Sequence, residues 1–210
     1  MNRVSLLEVS RVIPVVTIDN PDHAVPVARA LQAGGIPILE LTLRTDRALE
    51  ALATISADVP EILVGAGTVL TPQQADEAVE HGARFVVSPG ASLRLLQHLI
   101  SLPVAVLPGV ATVSEMLTAL DHGLSELKFF PAGPVGGPPY LSAVAAPVPE
   151  ARFCPTGGVT PENMADYLAL PNVPAVGGSW LTPRSLLASQ DWAQISALAQ
   201  DARNRANHSG

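Results

Sequence analysis

"RFVVSPGASLRLLQHLISLPVAVLPG", residues 84–109, contains one pattern twice. A short apolar run closes on a proline and a glycine at Pro89–Gly90, and again at Pro108–Gly109. Between the two lies "ASLRLLQHLI" (91–100), which suits a helix. A strand that is apolar along its whole length, rather than at alternate positions, is covered on both faces. Two such strands joined through a helix read as neighbours in a parallel sheet.

The same unit recurs in both directions. "VIPVVTI" (12–18), "IPILELTL" (36–43) and "EILVGAG" (61–67) precede it; "ELKFFPAG" (126–133), "RFCPTGG" (152–158) and "VPAVGGS" (173–179) follow. The linking segments "DHAVPVARALQAGG", "TPQQADEAVEHGA" and "TVSEMLTALDHG" place apolar residues at three-to-four spacing and end in glycine, as helices with C-terminal glycine caps do. The last opens with Thr112 and Ser114 followed by Glu115, an N-terminal capping arrangement. Eight strand–helix units without a break point to an α/β fold, a (β/α)8 TIM barrel in a single domain over 1–210. The runner-up is an open doubly wound sheet. A short helical lead-in is expected over about 1–10, and the polar stretch from about 200 to 210 reads as a frayed tail.

Composition narrows the function. The chain has 210 residues, 48% of them hydrophobic, and a net charge of −7 with no basic run, so a nucleic-acid groove has no support. An acidic protein can still hold anionic metabolites, because backbone amides and helix N-termini carry local positive potential. Cys154 is the single cysteine, which excludes an intrachain disulfide and fits a reducing, cytoplasmic setting. No signal-peptide layout and no apolar run of membrane-spanning length is apparent. His81 and His122 precede C-capping glycines, where an imidazole meets the favourable end of a helix dipole. His23 and His98 fall in expected helices, and His208 lies in the tail. None belongs to a metal-binding motif, so no metal is expected.

In a barrel of this kind the functional face is at the C-terminal ends of the strands. Those ends read Glu40 with "LTLRT", then "GAGT", "SPG", "LPG", "KFFPAG", "PTGG" and "GGS". The two-residue period of a strand puts Glu40, Thr42 and Arg44 on one side, and Lys128 with Phe130 on the side opposite Phe129. Lys128 is the only lysine beside eleven arginines. Arginine stays charged at any working pH, so a lone lysine inside a strand points to chemistry that needs a neutral amine. Burial penalises an ammonium ion, and the free amine attacks a ketone to give a Schiff base whose iminium withdraws electrons from the adjacent carbon–carbon bond. A nearby glutamate can move protons, and an arginine can hold a carboxylate. The glycine pairs of "PTGG" and "GGS" fall where barrels commonly bind phosphate.

The ordered set "ILELTLRT", "VGAGTVL", "VVSPG", "LPGVATVSE", "LKFFPA", "RFCPTGGV" and "GGSWL" resembles the bacterial 2-keto-3-deoxy-6-phosphogluconate aldolases from Ser10 to about Leu187. The resemblance implies a cofactor-free class I aldolase on a (β/α)8 barrel, assembled as a homotrimer. It would cleave a phosphorylated 2-keto-3-deoxy sugar acid to pyruvate and glyceraldehyde 3-phosphate, with 4-hydroxy-2-oxoglutarate as a further substrate. Position by position it implies Lys128 as the Schiff-base lysine and Glu40 as the general acid/base. Arg44 and Thr68 would lie at the substrate carboxylate, with Pro89, Phe130 and Thr156 shaping the pocket. Gly157, Gly158, Gly177, Gly178 and Ser179 would surround the phosphate. Some relatives carry an arginine after strand one; this chain has "TIDN", so phosphate is expected to rest on loop amides and Ser179. The competing expectations are an aldolase for the galactonate epimer and a non-catalytic phosphate-binding barrel.

Overall fold

The structure is a computed structural model that describes residues 5–208. It begins with α1 (Leu6–Val9) and β1 (Val12–Val16), then alternates through α2 (Ala24–Ala33), β2 (Ile38–Thr42), α3 (Ala48–Asp58) and β3 (Leu63–Gly67). There follow α4 (Pro72–Glu80), β4 (Phe85–Val87), α5 (Leu93–Ser101), β5 (Ala105–Leu107), β6 (Gly109–Val110) and α6 (Val113–Asp121). The chain ends with β7 (Glu126–Phe129), α7 (Gly137–Ala145), β8 (Arg152–Pro155), α8 (Met164–Leu168), β9 (Val176–Gly178), α9 (Arg184–Ser189) and α10 (Trp192–Asn207). Each of the eight anticipated strands is present and all pair in parallel.

The ladder runs β5-β4-β3-β2-β1-β9 on one side and β6-β7-β8 on the other. Two features join these sheets into a ring. β5 and β6 are halves of one strand interrupted at Pro108, which has no N–H to donate, although its carbonyl still accepts from the Lys128 amide at 2.9 Å. At the other seam Thr156 and Gly177 form a parallel bridge. An open doubly wound sheet is therefore excluded. The strands stop short of the apolar runs read from sequence. Proline supplies no donor, and Gly157 and Gly158 turn to φ of 87° and 89°, so the chain leaves the ladder there and forms the loops of the upper face.

Helix ends follow the local chemistry. Thr112 accepts from the Glu115 amide while the Glu115 carboxylate accepts from the Thr112 amide at 2.9 Å, a complete capping box on α6. At the C-terminal ends of α4 and α6, Nδ1 of His81 and of His122 donates to the carbonyls of Glu77 and Thr118, at 2.7 and 2.8 Å. "GPVGGPPY" opens α7 with prolines in its first turn, where no helical donor is lost. At the lower end of the barrel Glu126 accepts from the Ser5 hydroxyl and the Leu6 amide, pinning α1 to the foot of β7. This helix is the anticipated lead-in, of which residues 1–4 lie outside the described residues.

Two expectations are corrected. The stretch from 200 to 208 is not frayed: α10 continues to Asn207, with Ala199, Ala202 and Ala206 buried, and residues 209–210 lie outside the described residues. Its charged residues face water, while this alanine stripe allows close packing on α2. A Cβ on Gly34, the C-terminal cap of α2, would stand 2.5 Å from Ala199 Cβ, so the two elements meet glycine to alanine. Polar composition hid a three-to-four spacing of small residues. His23 lies in a 3-10 turn (Pro21–His23) ahead of α2, and its ring meets Trp192 edge-on at 5.4 Å.

Candidate active site

The period of two in β2 and β7 governs the upper face. Phe129 points outward to stack on Tyr140 at 5.3 Å, so its neighbours Lys128 and Phe130 turn inward. Glu40 and Thr42 of β2, and Arg44 two residues beyond the strand, face the same cavity, of about 460 Å3. Lys128 Nζ donates to Glu40 Oε1 at 2.8 Å and Oε2 at 3.1 Å, with the two residues 4% and 2% exposed. Neither charge could be buried alone without a large desolvation cost; together they satisfy one another. Nζ also sits 5.7 Å from the centre of the Phe130 ring.

Space for the carboxylate comes from β3. A Cβ on Gly67 would fall 2.1 Å from Glu40 Oε1, so only glycine leaves room at that position. The next residue, Thr68, has φ of 59°, unusual for a β-branched side chain. Hydrogen bonds on both sides hold it there: Gly67 O accepts from the Leu43 amide at 2.8 Å, and the Val69 amide donates to Val87 O at 3.2 Å. Strain of this kind persists where surrounding structure fixes it, and here it places Thr68 on the cavity wall.

Arg44 is exposed but tethered. Its Nε donates to Thr42 Oγ1 at 3.2 Å and its NH2 donates to Thr17 Oγ1 at 2.6 Å. Pro89, Phe130, Thr156, Gly157, Gly158, Gly178 and Ser179 complete the expected lining. Gly177 does not line the cavity: it is buried beneath Thr156, and a Cβ there would meet Thr156 Oγ1 at 2.3 Å. It supports the wall at the bridge that closes the ring. Sequence reading missed Val15, Leu70 and Val159 in the lining, and Thr17 beside Arg44. Thr17 lies two residues after Val15 on the strand-one run, so the period of two was the available signal.

Cys154 pairs in register with Lys128 on the neighbouring strand and is fully enclosed. Burial pushes its thiol from the ordinary 9.0 up to about 12, with the Lys128 ammonium pulling the other way. It remains a neutral thiol and not a second nucleophile. Among the described residues no three His, Cys, Asp or Glu side chains are grouped to hold a metal ion.

An amine and a carboxylate in contact at the mouth of a barrel, walled by glycine loops and an arginine, define the site of a class I, Schiff-base aldolase. The comparisons agree and make the assignment narrower. The chain belongs to the KDPG and KHG aldolase family, whose model matches residues 4–198. It is 48% identical over 198 residues to the KHG/KDPG aldolase of Escherichia coli K12, covering 94% of this chain and 93% of that one. It is 49% identical over 197 residues to the 2-dehydro-3-deoxy-phosphogluconate aldolase of Dickeya dadantii, covering 94% and 92%. Among solved structures, the KDPG aldolase of Legionella pneumophila, with pyruvate captured as a covalent carbinolamine, superposes with a TM-score of 0.92 at 44% identity. That match covers 94% of this chain and 96% of the other.

Proposed function

We propose that this protein cleaves 2-dehydro-3-deoxy-6-phospho-D-gluconate to pyruvate and D-glyceraldehyde 3-phosphate, and that it also accepts 4-hydroxy-2-oxoglutarate. The observation that carries the reading is the Lys128–Glu40 contact inside the cavity. Lys128 gives a proton to the Glu40 carboxylate, attacks the C2 ketone and, with loss of water, becomes an iminium at C2. Glu40, once again a carboxylate, takes the proton of the C4 hydroxyl. The C4 oxygen forms the aldehyde carbonyl, the C3–C4 bond breaks, and its electron pair moves into the iminium to give an enamine. The aldehyde leaves, Glu40 returns its proton to C3, and water releases pyruvate from Lys128. The iminium is the electron sink, so the sequence needs no cofactor.

Arg44 and Thr68 would hold the C1 carboxylate, the arginine through paired N–H donors. Pro89, Phe130 and Thr156 would shape the middle of the pocket. Gly157, Gly158, Gly178 and Ser179 would receive the phosphate by backbone amides and one hydroxyl. In the strand-one loop Asp19 pairs with Arg184 at 3.8 Å, which fits a phosphate site built without an arginine from that loop. A cytoplasmic setting fits the free, buried Cys154 thiol.

The same reading includes a homotrimer. Leu70, Leu93, Val113 and Leu117 are large apolar side chains left exposed on the α4 to α6 side, beside the cavity that Leu70 lines. Light scattering should return three times the 21.8 kDa chain mass, and a monomer would remove that part.

The function is tested by incubating the protein with pyruvate and borohydride, then taking intact mass and mapping peptides. One reduced pyruvyl adduct per chain, on Lys128, is the expected result. A folded protein that takes no adduct would remove the aldolase reading.

A further inference from the structure

The hydrogen bonds around Arg44 have only one consistent direction. Thr42 Oγ1 lies 3.2 Å from the carbonyl oxygen of Val16, which can only accept, so the Thr42 proton is committed there. Thr42 Oγ1 must then accept from both its other partners: Arg44 Nε at 3.2 Å and the Thr17 hydroxyl at 2.9 Å. Thr17, having given its proton to Thr42, accepts from Arg44 NH2 at 2.6 Å. The Thr42 hydroxyl is thereby saturated, and the whole chain of bonds is anchored to one backbone carbonyl of β1.

A guanidinium has five N–H donors. Nε–H and one NH2 proton are used by the threonines, which leaves both NH1 protons and the second NH2 proton. One NH1 proton and the remaining NH2 proton lie along the end-on edge of the fork, the edge that takes a carboxylate bidentately, while the other NH1 proton points back beside Cδ. An exposed arginine would otherwise sample many rotamers and lose that entropy on binding.

We infer that Thr17 and Thr42 are positioning residues, which fix the Arg44 guanidinium with its NH1–NH2 edge presented to the substrate carboxylate. The inference deepens the reading of Arg44 given above and rests on it. Thr17 carries the more informative test, because it is half-buried and a valine fills nearly the same volume without the hydroxyl. Thr42 is buried and saturated, so its removal would strand three groups and disturb β2 as well.

The experiment measures half-saturation for pyruvate by borohydride trapping, and kcat in the cleavage direction, for the wild type, Thr17→Val, Thr17→Ser and Arg44→Ala. Thr17→Val should raise half-saturation about tenfold, the scale of one charge-assisted hydrogen bond, with kcat within about threefold. Thr17→Ser, which keeps the hydroxyl, should return half-saturation to within about twofold of the wild type. Unchanged half-saturation in Thr17→Val, alongside a large rise in Arg44→Ala, would overturn the positioning role and leave the arginine's role standing. An unchanged Arg44→Ala would overturn both together. A rise in Thr17→Val that serine does not rescue would show a packing defect in place of the hydrogen bond, and would overturn the inference.

Discussion

Lys128 Nζ stands 2.8 Å from Glu40 Oε1, although the residues are 88 positions apart and their strands, β7 and β2, are the sixth and second of an eight-stranded ring. The pair meets across the barrel axis, each side chain reaching in from an opposite wall. This makes the amine and the proton carrier neighbours before substrate arrives.

Lys128→Arg keeps a cation but supplies no nucleophile. Turnover should fall by at least on the order of a thousandfold, and borohydride should trap no pyruvate. Steady-state assay with intact-mass analysis checks both. Retained activity would mean that the charge, and not the amine, is what the site uses.

Glu40→Gln leaves the amine and removes the proton carrier. We expect cleavage to slow by about two to four orders of magnitude, while a pyruvyl adduct on Lys128 still forms on long incubation. The measurement is single-turnover cleavage beside trapping yield; equal losses in the two would merge the separate roles assigned to these residues.

Gly67→Ala tests the space the carboxylate needs. The new methyl would begin 2.1 Å from Glu40 Oε1, so the carboxylate must move. A displacement of about 1 Å costs roughly a hundredfold in rate, and overpacking costs about 1–3 kcal/mol of stability. kcat and a urea titration on the same variant separate the two effects.

Much of this site was legible because strands have a strict period. Once Lys128 was placed in a strand, Phe130 had to share its side and Phe129 had to oppose it; once Glu40 pointed inward, Thr42 and Arg44 followed. What periodicity cannot supply is contact between strands. Gly67 appeared only as part of a glycine-rich strand end, and its purpose depends on a carboxylate from the adjacent strand. The resemblance placed Gly177 around the phosphate, but a Cβ there would meet Thr156 Oγ1, so it serves Thr156 from beneath. Thr17 had no chemistry of its own to announce it and acquires meaning only through Arg44.

Cys154 gives a prediction in pH. Its thiol is raised from 9.0 to about 12 by burial, so the folded state holds this proton more tightly than the unfolded chain does. Its contribution is fully present below pH 9.0, and stability falls as pH rises from there towards about 12. The slope approaches 1.4 kcal/mol per pH unit. Denaturant titrations at several alkaline pH values should show a shallower decline in Cys154→Ala, and native protein at pH 8 should resist alkylation until unfolded.

Gly34→Ala distinguishes a cap from a contact. Gly34 has φ of −75°, which alanine adopts freely, so a plain helix end would gain about 0.4–1 kcal/mol from the change. The methyl would instead lie 2.5 Å from Ala199 Cβ and 2.6 Å from Ser196 O. Stability should fall by about 1–3 kcal/mol in a thermal or urea titration. An increase would show that α10 yields easily at this point.

The cross-axis pairing of second and sixth strands has a consequence for a chain made from its N-terminus. The acid leaves the ribosome 88 residues before the amine that neutralises it. A nascent half-ring therefore carries a carboxylate that must stay hydrated, which opposes premature drying of its interior. The sixth strand brings the amine that neutralises this carboxylate, so the reactive pair forms as that obstacle is removed, ahead of the Thr156–Gly177 bridge that closes the ring.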